Sequence, residues 1–283
     1  MEMFHPDVLK ERIGPELVKA SNLHKLEDVE RYFIDQMKNK YKWEHSYDVI
    51  ANESPHFKTM GYTEYATNFM LQPLTLSLRD DQITEAYYDN DSEILDYAQL
   101  LRDNVENKIA NKYQSRDRVT DQFPTKKIIV VLPGSNKVKK NCCLNKLRHI
   151  KDKYGDNVTF KPHPITTHTI IGELKDFFGE DCILPRNADL YEYLVDAEKV
   201  YTTHLSESVA YGLALGKDIE PIDVHNRVEG SSFYSISRAL FRRKKEGDIV
   251  INRIFSSYKS GIINIDIDKN WKNKLDKYLA YAS

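Results

Sequence analysis

The spacing of apolar positions changes character at residue 126. Ahead of it the period is mostly helical. Val8, Leu9, Ile13, Leu17 and Val18 recur at helical spacing, and Leu23, Leu26, Val29, Tyr32, Phe33 and Met37 repeat the pattern. Ser21 or Asn22 is placed to cap the second of these helices. Residues 51–73 lose the period, with Pro55, Gly61 and Pro73 as breakers. Leu74-Thr75-Leu76-Ser77-Leu78 alternates and runs into Arg79-Asp80-Asp81, which predicts a strand with two carboxylates at its C-terminal end. A helical pattern returns through Ile94, Leu95, Tyr97, Ala98, Leu101, Val105 and Ile109, and the polar stretch 114–125, with Pro124, reads as a linker.

After residue 126 strands and helices alternate. Ile128-Ile129-Val130-Val131-Leu132 is a continuous apolar run, as expected of a strand buried on both faces. It stops at Pro133-Gly134-Ser135-Asn136, and a helix follows with Leu144, Leu147, Ile150 and Tyr154 on one face. Val158-Thr159-Phe160 predicts a second strand, ending in Lys161-Pro162-His163-Pro164; Ile170, Ile171, Leu174 and Phe177 mark the next helix. Residues 182–184 predict a third strand and residues 199–203 a fourth, with a short helix between them that Asp189 opens. The fourth runs into His204-Leu205-Ser206-Glu207-Ser208 and a small-residue helix stopped by Gly216. Residues 219–224 predict the fifth strand. Such alternation implies right-handed βαβ units and a parallel sheet. Ligands of such sheets sit beyond the carboxyl ends of the strands, where these polar turns lie. The expected fold class is therefore α/β, with a Rossmann-type parallel sheet in a domain at 126–283 that ends in C-terminal helices, and a smaller helix-rich domain at 1–125.

Composition removes several alternatives. The chain has 283 residues, with 41% hydrophobic and 11% aromatic side chains, enough for a core. Lys and Arg number 41 against 43 Asp and Glu, a net charge of -2, which argues against binding nucleic acid by bulk charge. No run approaches the ~18 apolar residues of a membrane span, and the first residues have no secretory pattern, so the expected location is cytoplasmic. Cys142, Cys143 and Cys182 fit neither a disulfide framework nor a zinc site, so no metal is expected.

Three turns carry candidate chemistry. Gly134 lets the backbone approach a ligand, and with Ser135 it precedes a helix whose free N–H groups suit a phosphate, although an ordinary βα turn has the same composition. In Lys161-Pro162-His163-Pro164 two prolines hold the backbone extended around one imidazole, which can bond a phosphate oxygen or protonate it as it leaves; the plain alternative is a structural histidine. Thr166, Thr167 and His168 add donors there, or simply cap the next helix. Ser206 and Ser208 offer hydroxyls to a phosphate, and Glu207 can accept from ribose hydroxyls; equally, Ser206 is an N-cap and Glu207 a first-turn acid. Gly230-Ser231-Ser232-Phe233-Tyr234 and the basic run Arg242-Arg243-Lys244-Lys245 form a fourth group, which reads as a solvated face or as a contact for an anionic acceptor.

A His-Pro turn followed about forty residues later by a Ser-Glu-Ser helix start resembles the C-terminal donor domain of GT-B glycosyltransferases. The pattern is similar to the bacterial sialyltransferase and capsule-glycan group, which uses CMP-linked sugars. The resemblance covers 126–224. It implies that His163 contacts the donor phosphate and assists departure of the nucleotide, that Ser206 and Ser208 hold the phosphate, and that Gly134 and Ser135 line the same pocket; Lys161 and Glu207 complete the candidate donor-binding set. The acidic motif that supplies the base in that group is absent here, so the base is sought among Asp80, Asp81 and Glu53, with His56 beside it.

The expectation is thus an inverting, metal-independent glycosyl transfer, with a nucleotide sugar as co-substrate and no other cofactor. The acceptor is a glycan or a hydroxylated base in phage duplex DNA. Lys139, Lys140, Arg242 and Arg243 are the candidate acceptor contacts, joined for a duplex by Lys137, Lys244 and Lys245. The rival is a non-catalytic nucleotide-binding module, which keeps the phosphate site and needs no base.

Overall fold

The structure is a computed structural model. It describes residues 27–41, 44–47, 59–65, 68–73, 76–107, 119–134, 138, 144–164, 166–204, 206–222 and 234–282. Its centre is the parallel sheet expected from the apolar runs: β4 (Ile128–Val131), β5 (Val158–Lys161), β6 (Lys199–Thr202) and β7 (Asp218–Pro221), in the order β5-β4-β6-β7. The expected third strand is reduced to one parallel bridge, Ile183 to Phe160, on the outer side of β5. In chain order the five lines run 3-2-1-4-5. The order reverses between β4 and β6, so the switch point, where doubly wound sheets bind ligands, lies there.

The sheet is buried on both faces because β4 alternates two apolar sets. Ile129 and Val131 enter one core with Val200 and Ile219. Ile128 and Val130 enter the other with Val158 and Phe160. The second core is closed by α4 (Leu144–Tyr154), through Leu147 and Ile150, and by α5 (His168–Phe178), through Ile170, Leu174 and Phe178. The first is closed by α6 (Leu190–Asp196), α7 (Ser208–Ala214), α8 (Tyr234–Arg242) and α9 (Asp248–Ser256). Helix α9 shows how: Val250, Ile251, Ile254 and Phe255 form one apolar stripe. Helix α7 is buried all round, and this close approach needs Gly212, where an added Cβ would lie 3.0 Å from Ile219 Cγ2. Gly216, at φ +69°, ends that helix as expected.

The first half of the chain departs from expectation. Residues 76–87 form a helix, α2 (Leu76–Tyr87), and not a strand, so Asp80 and Asp81 sit in its first turns. The alternation at 74–78 is too short to outweigh the helical set Gln82, Ile83 and Ala86, which is buried. Ile83 joins Tyr97, Ala98, Leu101 and Val105 of α3 (Tyr97–Glu106) in the same core as Ile129 and Val200. The hydrophobic core therefore crosses the boundary expected at 125/126. Ahead of α2 the chain is not purely helical. β1 (Glu44–Tyr47), β2 (Thr59–Tyr65) and β3 (Asn68–Pro73) form a second sheet, completed by β8 (Ile262–Asn264), nearly two hundred residues further on. The expected helical period does hold in α1 (Glu27–Asp35), whose Val29 and Phe33 pack on Leu275, Tyr278 and Leu279 of the last helix, α10 (Trp271–Ala282). The other N-terminal helix, at 8–18, lies outside the described residues.

Candidate functional site

Strand register brings the expected turns together. Val131 pairs with Lys161, Thr202 pairs with Pro221, and Val130 pairs with Tyr201 one step earlier. All four strands therefore stop in one row, with neighbours about 4.8 Å apart. Pairing runs one residue past the row, through Leu132 N–H to the Lys161 carbonyl (2.9 Å) and Ile222 N–H to the Thr202 carbonyl (2.9 Å). Gly134, His163 and Ser206 thus leave adjacent strand ends, on either side of the switch point. Ser135 lies outside the described residues.

The Ser206-Glu207-Ser208 turn is divided between two tasks. Ser208 is buried, and its hydroxyl lies 2.8 Å from the Thr202 hydroxyl and 2.7 Å from that of Ser206. Ser206 Oγ also accepts from Ser208 N–H at 3.2 Å. A chain of hydroxyls thus runs from the last residue of β6 to Ser206, the half-buried member at the surface. Ser208 positions Ser206 from behind. Glu207 holds the N-cap position of α7, with no capping bond from its side chain. Its charge reaches Tyr211 one turn on: burial first, then Tyr191 and Glu207, hold that phenol well above its ordinary range. His204, two residues past β6, lies against Tyr234 (centroids 5.5 Å) and Phe241 (4.8 Å), which fastens α8 to this end of the sheet. Of the Gly230–Tyr234 group, Tyr234 alone is among the described residues.

The Lys161-Pro162-His163-Pro164 turn is built differently from its sequence reading. Lys161 is 2% exposed, and its ammonium donates to the carbonyls of Pro162 (2.7 Å) and Arg186 (2.8 Å). Its charge is spent on holding two loops, so it shapes the His163 turn from inside the protein. His163 itself is half-buried, and its carbonyl accepts from Thr166 N–H at 2.8 Å. Thr167 occupies the N-cap position of α5 without a capping bond from its side chain. Arg186, a residue with no motif around it, proves to be a neighbour of the site through Lys161.

The other expected residues fall elsewhere. Glu53, Lys139 and Lys140 lie outside the described residues, as do Lys137 and His56. Asp80 pairs with Arg238 on α8, one turn from the Tyr234 that touches His204. Asp81, on the next position of α2, is exposed. The basic run is engaged within the protein. Helix α8 touches His204 at Tyr234 and again at Phe241, and ends at Arg242. There Lys244 donates to Asp218 (3.0 Å), Glu220 (2.8 Å) and the Ile219 carbonyl (2.8 Å), on the exposed edge of β7 and toward its amino end. Burial works against that ammonium, but Glu220 and Asp218 hold it above its ordinary range. Arg243 lies 4.3 Å over the Tyr87 ring. Through Lys244 and Arg243 the run is therefore a clamp on β7 and α2. Among the described residues no His, Cys, Asp and Glu cluster suits a metal ion, and no helix is long and apolar enough to cross a membrane.

Neither a family model nor a curated protein matches the chain. Among solved structures it is similar to Thermosulfurimonas dismutans KpsC, a beta Kdo 2,7 transferase. The identity is 16%, with 67% of this chain and 62% of that one covered, at a TM-score of 0.38. The chain spans less than two thirds of that neighbour's length. A likeness this loose sets no family.

Proposed function

We propose that the chain transfers a sugar from a nucleotide-sugar donor to an acceptor hydroxyl, with the leaving phosphate held where β4, β5 and β6 end. One observation carries this reading: a single row of strand ends at a Rossmann-type switch point is followed, within a few residues on three neighbouring strands, by Gly134, His163 and Ser206. A glycine that admits a phosphate, an imidazole that can donate to it and a pre-oriented hydroxyl are the groups that leaving-group stabilisation needs. Lys161 and Ser208 support that set from within.

In the reaction, the acceptor oxygen attacks the anomeric carbon as the bond from that carbon to the phosphate oxygen breaks. The bonding pair stays on the phosphate. His163 donates a hydrogen bond or its proton to that oxygen, and Ser206 shares the charge. The acceptor proton passes to a carboxylate. Of the described candidates, Asp80 pairs with Arg238 of α8, while Asp81 is exposed. A CMP-linked donor is favoured by the His-Pro and Ser-Glu-Ser pattern, and no metal is assigned a role.

The test is turnover. The protein is incubated with CMP-, UDP- and GDP-linked sugars, and released nucleotide is followed for the intact chain and for His163→Ala. Release from one donor class, lost in the variant while its melting temperature is kept, supports the reading. Tight nucleotide binding with no release from any donor would leave the chain a non-catalytic nucleotide module.

A further inference from the structure

Resting on the phosphate site just described, we propose that Arg186 is a second phosphate-binding residue of that site, acting from the side opposite Ser206. The loop around it follows the third line of the sheet. Ile183 bridges Phe160 in parallel, and Leu184 N–H donates to the Phe160 carbonyl at 2.9 Å, which sets Leu184 level with Lys161. Arg186 and His163 are then each two residues past the same row. They stand on adjacent lines, about 4.8 Å apart at the backbone. Lys161 fixes that spacing, because one buried ammonium holds both the Pro162 and the Arg186 carbonyls.

The side chain of Arg186 is poorly used within the protein. It is half-buried, and its guanidinium makes one long hydrogen bond, 3.4 Å to the Thr166 carbonyl. It forms no ion pair among the described residues. A guanidinium offers five donors in a planar fork. Drawing it partly out of water without an anion is unfavourable, and a phosphate oxygen pair matches the fork. The ligand class that matches this guanidinium is a phosphoryl group at the carboxyl end of β5. The donor then lies across the ends of β5 and β4, with its phosphate between Arg186 and Ser206 and His163 beneath it.

The experiment is isothermal titration of the full chain with CMP, UDP and GDP, each compared with its nucleoside. The intact protein, Arg186→Ala and Arg186→Lys are run in parallel, with melting temperatures measured in the absence of ligand. The expected result is a loss of about 10- to 100-fold in nucleotide affinity for Arg186→Ala, the change that accompanies removal of a charge-assisted hydrogen bond. The lysine variant falls between, since it keeps the charge and loses the fork. Nucleoside affinity and the melting temperature stay unchanged. Nucleotide binding unaltered in Arg186→Ala overturns the inference and leaves the phosphate site standing. An equal loss for nucleoside and nucleotide also overturns it, because Arg186 then acts on the base or on the fold. Absence of nucleotide binding by the intact chain overturns the phosphate site and this inference together.

Discussion

Gly212→Ala sets two opposing effects against each other, and the geometry decides the sign. An alanine gains about 1 kcal/mol of helix propensity over glycine. Here the new methyl would lie 3.0 Å from Ile219 Cγ2 and 3.7 Å from Val200 Cγ2. Ordinary carbon contacts need about 3.5–4.0 Å, so α7 or β7 must move by roughly half an ångström in a sheet packed on both faces. Overpacking of that kind costs roughly 1–3 kcal/mol. The net expectation is a loss of about 1 kcal/mol, or roughly 2–4 °C in melting temperature. Urea unfolding measures it. The cause is then isolated by repeating the change in an Ile219→Ala background, which removes the methyl in the way. There Gly212→Ala is neutral or stabilising, and the cycle shows a coupling of about 1 kcal/mol or more. Gly212 also lies one turn after Ser208, so lifting α7 disturbs the hydroxyl chain to Ser206, and nucleotide affinity falls with stability. A rise in melting temperature for the single variant would refute the reasoning.

Further outcomes follow from the buried polar groups. Lys274 is enclosed with Asp268, Tyr97 and the Phe255 carbonyl, at 2.8–3.0 Å. Lys274→Met leaves a carboxylate buried without its ammonium and costs about 3–5 kcal/mol in urea unfolding. Burial works against the charge of Asp89, but the Ser257 and Ser92 hydroxyls and the Asp91 N–H, with Lys259 nearby, hold its carboxyl below the ordinary range. The stability it contributes is present above the unfolded carboxylate pKa of about 3.9 and is lost as pH falls through the lower folded value. Asp89→Asn therefore lowers stability at neutral pH and flattens its loss below about pH 4, read from unfolding curves across pH. Lys161→Met strands two loop carbonyls, each at a cost of about 1–3 kcal/mol, and raises amide exchange at 162–167 and 185–187 more than elsewhere.

Much of the second half was legible because its signals are local. The run Ile128–Val131 could be buried only between two layers, and the polar turns marked the ends of successive strands. The positions of His163 and Ser206 just past strand ends were read in this way, as was the stop of the small-residue helix at Gly216. What escaped depends on contacts far apart in sequence. β3 finds its partner at Ile262–Asn264, which no nearby period announces. Residues 76–78 of the alternating stretch belong to a helix because Ile83, further along it, faces a core shared with β4 and α9. Lys161 reads as a phosphate cation until its burial shows that two carbonyls already occupy it. Arg186 carries no motif at all; only the parallel bridge at Ile183 sets it beside His163. The basic run at 242–245 had a sequence signature but no indication of its place, since its partners Asp218, Glu220 and Tyr87 lie elsewhere in the chain.

The central claim is that the donor phosphate sits over the row formed by Val131, Lys161 and Thr202. A crystal structure with the nucleotide that most raises the melting temperature tests this directly. The phosphate is expected within hydrogen-bond distance of His163 and Ser206, with the nucleoside lying across the carboxyl ends of β4 and β5. A phosphate bound at the amino ends of the strands, or on the β1–β2–β3–β8 sheet, would contradict the account.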